Sequence, residues 1–146
     1  SKTFTGMAVL KLWEEGKIGL GDDISKHLSG FPYQGVTVRS LLNHRSGLPN
    51  YVHFMEQNGW DQKKTVTNQD VLQFMIDKKG KLDVGRPNRG FNYSNTNYAL
   101  LALIVEKVSG KQFGQYLQET FFTPLKMEHT FLFSMDKKDM VMPSYN

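Results

Sequence analysis

Apolar positions recur along this chain at helical spacing, and period-two alternation is nearly absent. Residues 2 to 15, KTFTGMAVLKLWEE, place Phe4, Met7, Ala8, Val9, Leu10, Leu12 and Trp13 around most of a helix surface, with Gly16 as a stop. The pattern predicts a helix buried nearly all round, with Ser1 as a possible N-cap. A helix this apolar at the first residue implies that the natural element begins earlier. Gly19, Gly21 and Asp22-Asp23 make a turn before DISKHL, and Gly30, Pro32 and Gly35 break the chain again. Thr37 is an N-cap for a helix through VRSLLNH, with Leu41 and Leu42 inward, ended by Ser46-Gly47-Leu48-Pro49. Asn68 is expected to cap QDVLQFMIDKK, closed by Gly80.

Residues 81 to 94, rich in Gly, Pro and Asn, read as a long loop. Beyond them Tyr98, Leu101, Ile104, Val105 and Val108 mark the clearest helix, with Gly110 just past its end. A last helix over about 112 to 121 stops near Pro124. The expected architecture is mainly α with irregular connections, and the sequence carries no internal repeat.

Composition narrows the picture. The 146 residues can bury one core, so the chain is read as a single domain or part of one. The net charge of +4 comes from basic residues interspersed with acidic ones. The densest run, Asp61-Gln62-Lys63-Lys64, is a solvated loop, and without a helix-turn-helix, RNA-binding or zinc-finger signature no nucleic-acid partner is expected. With no cysteine, disulfides and thiolate chemistry are excluded. No apolar run approaches the roughly 20 residues that span a bilayer, and the first residues lack a signal-peptide pattern.

Three stretches carry candidate chemistry in a telling order: SKTFTGMAVLKLWEEGKIGL, VTVRSLLNHRSGLPNY and GFNYSNTNYALLALIVEKVSGKQF. Together they resemble the serine β-lactamase-like family, which includes class C β-lactamases, D-alanyl-D-alanine carboxypeptidases, other penicillin-binding proteins and related esterases. The resemblance runs from residue 1 to about residue 133. It implies the all-helical subdomain of a β-lactamase/transpeptidase-like fold, without most or all of the α/β sheet part. Residues 1 to 146 are then a single partial domain, truncated at both ends.

The same resemblance assigns the site. The family's S-x-x-K motif matches at Lys2, whose spacing from the serine puts amine and hydroxyl one helical turn apart on one face. That nucleophile would stand three residues before Lys2, and Ser1 matches the second serine of the common S-x-S-K form. Y-x-N matches Tyr93-Ser94-Asn95, giving Tyr93 a general acid/base role and Asn95 a substrate-binding role. Taken alone, Tyr93 is an ordinary loop aromatic and Asn95 a plausible N-cap of the following helix. The third family motif, K-[ST]-G or H-x-G, is absent, and with it one oxyanion-hole donor. Acyl transfer through a serine ester on a β-lactam, a D-Ala-D-Ala peptide or a small ester is implied for the longer protein, and inactivity for this chain alone. The rival readings are a non-catalytic homologue that binds peptidoglycan peptides and a purely structural helical core.

Other candidates carry less. Ser134-Met135-Asp136-Lys137 also fits S-x-x-K but lacks a buried-helix context. His27, His44, His53 and His129 show no paired metal-ligand spacing, so no metal and no cofactor are expected. By resemblance His44 has a structural hydrogen-bonding role, while Ser46 and Gly47 shape a turn. Met7, Trp13, Phe74 and Met75 read as core. The resemblance also implies an exported or envelope-associated bacterial protein. Loss of cover from the first helix predicts self-association through its apolar face.

Overall fold

The computed structural model describes residues 2–133, and among these no strand is present. The elements are α1 (Lys2–Glu14), a 3₁₀ turn (Ile24–Lys26), α2 (Val38–Leu42), α3 (Tyr51–Gln57), α4 (Asn68–Asp77), α5 (Asn95–Ser109) and α6 (Phe113–Leu117). A π-helical turn, Gln118–Phe122, prolongs α6. Ser1 and the Ser134 to Lys137 motif lie outside the described residues.

The centre is α5, against which α1, α2, α3, α4 and α6 all pack. Every residue from Ala99 to Val105 is buried, and Gly110 closes the helix in the left-handed conformation at φ 70°. The helix buried all round is therefore α5 rather than α1. In α1 only Thr5, Ala8, Val9 and Leu12 are buried, a stripe at i, i+3, i+4 and i+7 facing α5. Met7, Leu10 and Trp13 form the opposite, exposed face, Trp13 at 49%. Met75 is fully buried and Phe74 packs on the core, as read from the sequence, whereas Met7 and Trp13 are not core residues. Their apolar character does not mark burial because no other described element covers that side of α1.

Local chemistry sets the shorter elements. Thr37 caps α2 in a reciprocal box with Ser40. That helix ends at Leu42, two residues earlier than its pattern implies, because His44 turns to φ 56°. For α4 the cap is Thr67, not Asn68: its hydroxyl accepts from the Asp70 N–H, and the Asp70 carboxylate accepts from the Thr67 N–H. The pair satisfies two orphan donors at once, which Asn68 in the first helical position cannot do. The short α3, absent from the sequence pattern, spans two turns and buries only Phe54 and Met55.

The 19 to 39 segment is tied by Asp22. Its carboxylate accepts from the Gly19 N–H at 2.8 Å and lies 3.0 Å from His27 Nε2 and 3.2 Å from Lys26 Nζ. These partners, the Gly19 amide first, lower the Asp22 carboxyl to about 2. No helix among the described residues is long and apolar enough to cross a membrane.

Candidate active site

The loop over 81 to 94 delivers Tyr93, and it is held far more tightly than its composition implies. Gly85 N–H donates to Gly47 O at 2.9 Å, Asn88 N–H to Arg45 O at 2.7 Å, and Asn92 N–H to His44 O at 2.8 Å. The Arg45 guanidinium returns a bond to Asn88 O at 2.7 Å. Gly47 sits at φ 77°, and a Cβ placed on it would come within 2.3 Å of Gly85 O. Only glycine permits both the left-handed turn and this backbone approach.

Behind Tyr93 runs a buried polar chain. Leu48 N–H donates to Ser46 Oγ at 3.1 Å, Ser46 Oγ–H donates to Asn97 Oδ1 at 2.6 Å, and Asn97 Nδ2 lies 3.0 Å from His44 Nδ1. Ser94 N–H donates to the same His44 Nδ1 at 3.2 Å. The Pro49 carbonyl accepts from Ser94 Oγ at 3.0 Å and from Thr96 Oγ1 at 2.6 Å, while Thr96 Oγ1 accepts from Tyr51 N–H at 2.9 Å. Ser94, Thr96 and Asn97 are therefore buried with partners satisfied by the 44 to 51 segment.

Aromatic faces complete the support. The His44 ring lies 4.5 Å from that of Tyr93 and 5.2 Å from that of Tyr98, tilted 33° and 32°. Phe91 meets it edge-on at 5.9 Å. Burial, reinforced by the Lys2 charge, pushes the His44 imidazole below its ordinary value. Tyr98 is pushed up, chiefly by burial, and its hydroxyl donates to Leu42 O at 3.1 Å.

Against this platform stands Lys2, in the first turn of α1. Its Nζ donates to Asn95 Oδ1 at 2.9 Å and lies 5.0 Å from the Tyr93 ring centroid and 5.9 Å from that of Tyr98. The ammonium meets the face of Tyr93, and no hydrogen bond joins it to the Tyr93 hydroxyl. Lys2, Asn95, Tyr98 and Tyr51 line one cleft of about 330 Å³, while Tyr93 is 53% exposed.

The three residues named from the sequence thus converge. Asn95 is not the N-cap, however: Ser94 holds that position, and Asn95 is the first helical residue. Its side-chain oxygen accepts from Lys2. Sequence reasoning did not single out Ser94, Thr96 and Asn97, and it read Tyr98 as one position of an apolar stripe. Their signal was the unbroken polar run Ser94 to Asn97 ahead of an apolar helix, longer than capping requires.

A bundle around one central helix, with a lysine in the first turn of its partner set against a Tyr-x-Asn turn, is the helical part of a β-lactamase/transpeptidase-like fold. The Beta-lactamase family model matches residues 1–141, and the chain belongs to that family. It is 43% identical over 130 residues to penicillin-binding protein 4* of Bacillus subtilis (strain 168), a match covering 89% of this chain and 28% of that protein. Among solved structures, the penicillin binding protein from Bacillus halodurans superposes with a TM-score of 0.77 at 30% identity, over 98% of this chain and 42% of that one. The D-amino acid amidase from Ochrobactrum anthropi SV3 superposes with a TM-score of 0.71 at 30% identity, over 86% of this chain and 33% of that one. The chain spans less than half the length of each of these proteins.

Proposed function

We propose that the longer protein to which this segment belongs is a serine hydrolase that works by acyl transfer through an ester intermediate. The attacking serine stands three residues before Lys2, one helical turn back on the α1 face that carries the lysine. The hydroxyl proton is taken by Lys2 or by Tyr93, and it passes through Tyr93 to the leaving group. Asn95 has two tasks. Its oxygen accepts from the Lys2 ammonium, which turns its Nδ2–H donors toward a substrate carbonyl in the cleft they share.

The observation that carries this reading is the 2.9 Å contact between Lys2 and Asn95, which brings residues 93 positions apart into one polar centre. The acyl donor is a β-lactam, a D-Ala-D-Ala peptide, or a small amide or ester. Within the 146 residues no position lies three before Lys2 and no K-[ST]-G or H-x-G sequence occurs, so this chain alone is expected to be inert toward nitrocefin.

The test is the intact mass of the longer protein after exposure to a β-lactam. A covalent adduct mapped to the serine three residues before Lys2, and lost in Lys2→Met, is expected. A folded protein that retains that serine and gains no adduct from any β-lactam or activated ester would overturn the proposal.

A further inference from the structure

The polar chain behind Tyr93 has a fixed direction, set by the backbone N–H of Ser94 at its His44 end. Ser94 N–H can only donate, so His44 Nδ1 accepts, the Asn97 atom beside it is the amide nitrogen, and Asn97 Oδ1 is left to accept the Ser46 Oγ proton while Ser46 Oγ accepts from Leu48 N–H. Asn97 therefore presents Nδ2–H to His44. Two donors converge on one ring nitrogen, so that nitrogen carries a lone pair and the ring proton is on Nε2. A second proton on the ring would set an N–H against two N–H groups.

The same ring has further ties. Its face supports Tyr93 and Tyr98, and its backbone carbonyl accepts from Asn92 N–H, one residue before Tyr93. The charged or titratable groups that face it are Lys2 from α1, Tyr93 from the loop and Tyr98 from α5. The Lys2 charge opposes a second cation beside it.

We propose that His44 is a positioning residue: as the neutral, Nε2-protonated imidazole it fixes the Tyr93-Ser94-Asn95 turn against Lys2, and protonation of its ring releases that turn. This rests on the acyl-transfer reading only for its effect on rate, since the turn and the proton can be observed without catalysis. His44→Asn is the informative variant. Asparagine tolerates the φ of 56°, and its Oδ1 stands near the place of Nδ1, so it supplies an acceptor that does not titrate.

The first measurement is the ¹⁵N spectrum of the histidine rings and backbone amides of this chain between pH 4 and pH 8. His44 is expected as the Nε2–H tautomer, titrating below the ordinary histidine value of about 6.5. The Ser94 and Asn95 amides should shift with the same midpoint, and in His44→Asn they should not shift at all. An Nδ1–H tautomer, or Ser94 and Asn95 amides indifferent to the His44 titration, would overturn the proposal.

In the longer protein the acylation rate should fall about tenfold per pH unit below that midpoint. His44→Asn should lose this limb while keeping a pH 7 rate within about tenfold of the parent. An unchanged acid limb in His44→Asn counts against the proposal. Absence of acylation at every pH, with the amide titration intact, would sink the acyl-transfer reading alone.

Discussion

Lys2 Nζ and Asn95 Oδ1 meet at 2.9 Å, joining the first turn of α1 to the first turn of α5. The contact joins two helices that also pack together, α1 burying Thr5, Ala8, Val9 and Leu12.

Truncating the amide separates its two ends. Asn95→Ala should cost about 1.5 kcal/mol of stability, the low end for a partly buried bond to a charged group, measured by urea unfolding. Asn95→Asp keeps an acceptor for Lys2 and should unfold near the parent's midpoint. In the longer protein both variants lack the Nδ2–H donors and should lose acylation rate, by tenfold or more. An Asp variant with full activity would mean that Asn95 serves only the lysine.

A methyl group on Gly47 has no room. Gly47→Ala meets Gly85 O at 2.3 Å and must hold φ 77°, so a loss of about 3 kcal/mol or more is expected. Gly110→Ala, at a similar φ of 70° with open space around it, should lose only about 1 kcal/mol. Comparable losses in the two variants would show that the close approach to Gly85 adds nothing.

Acid should weaken the 19 to 39 segment through Asp22. Its folded value, about 2, lies below the ordinary carboxyl value, so the unfolded chain binds the proton more readily. The stabilisation is present in full above about pH 4 and is lost as pH falls toward 2. Asp22→Asn should flatten this part of the stability profile, with a difference of order 1 kcal/mol at pH 6. Parallel profiles for the two proteins between pH 2 and pH 5 would exclude Asp22 as its source.

The exposed Met7, Leu10 and Trp13 face predicts concentration-dependent association of this chain. Leu10→Lys with Trp13→Lys should shift it toward the monomer in sedimentation velocity without lowering stability by more than about 0.5 kcal/mol. A parent that is already monomeric at high concentration would contradict the expectation.

Long periodic elements were legible in the sequence. α5 announced itself through Tyr98, Leu101, Ile104, Val105 and Val108, and Thr37 gave a correct cap because its hydroxyl is followed three residues later by Ser40. α3 was not legible, since two turns with two inward residues make no stripe. The sense of α1 was misjudged because Met7 and Trp13 are as apolar as Val9 and Leu12, and hydropathy alone does not tell which face has a neighbour. Lys2, Tyr93 and Asn95 were named from motifs. The support beneath them was hidden because it depends on pairings across about 50 residues, such as Ser46 with Asn97 and His44 with Ser94, which local spacing does not encode.

Gly47 and Gly85 touch backbone to backbone, and the loop that leads to Tyr93 is laced to the turn at 44 to 47 through its main chain. Main-chain lacing is indifferent to side-chain identity but intolerant of changes in length. Between Gly85 and Asn92 the segment is therefore fixed in how many residues it has, while side chains outside the Asn88 turn and the Phe91 ring contact are free to vary. Substitutions at Arg86 or Arg89 should pass where the insertion of a single residue would move Tyr93 off the lysine.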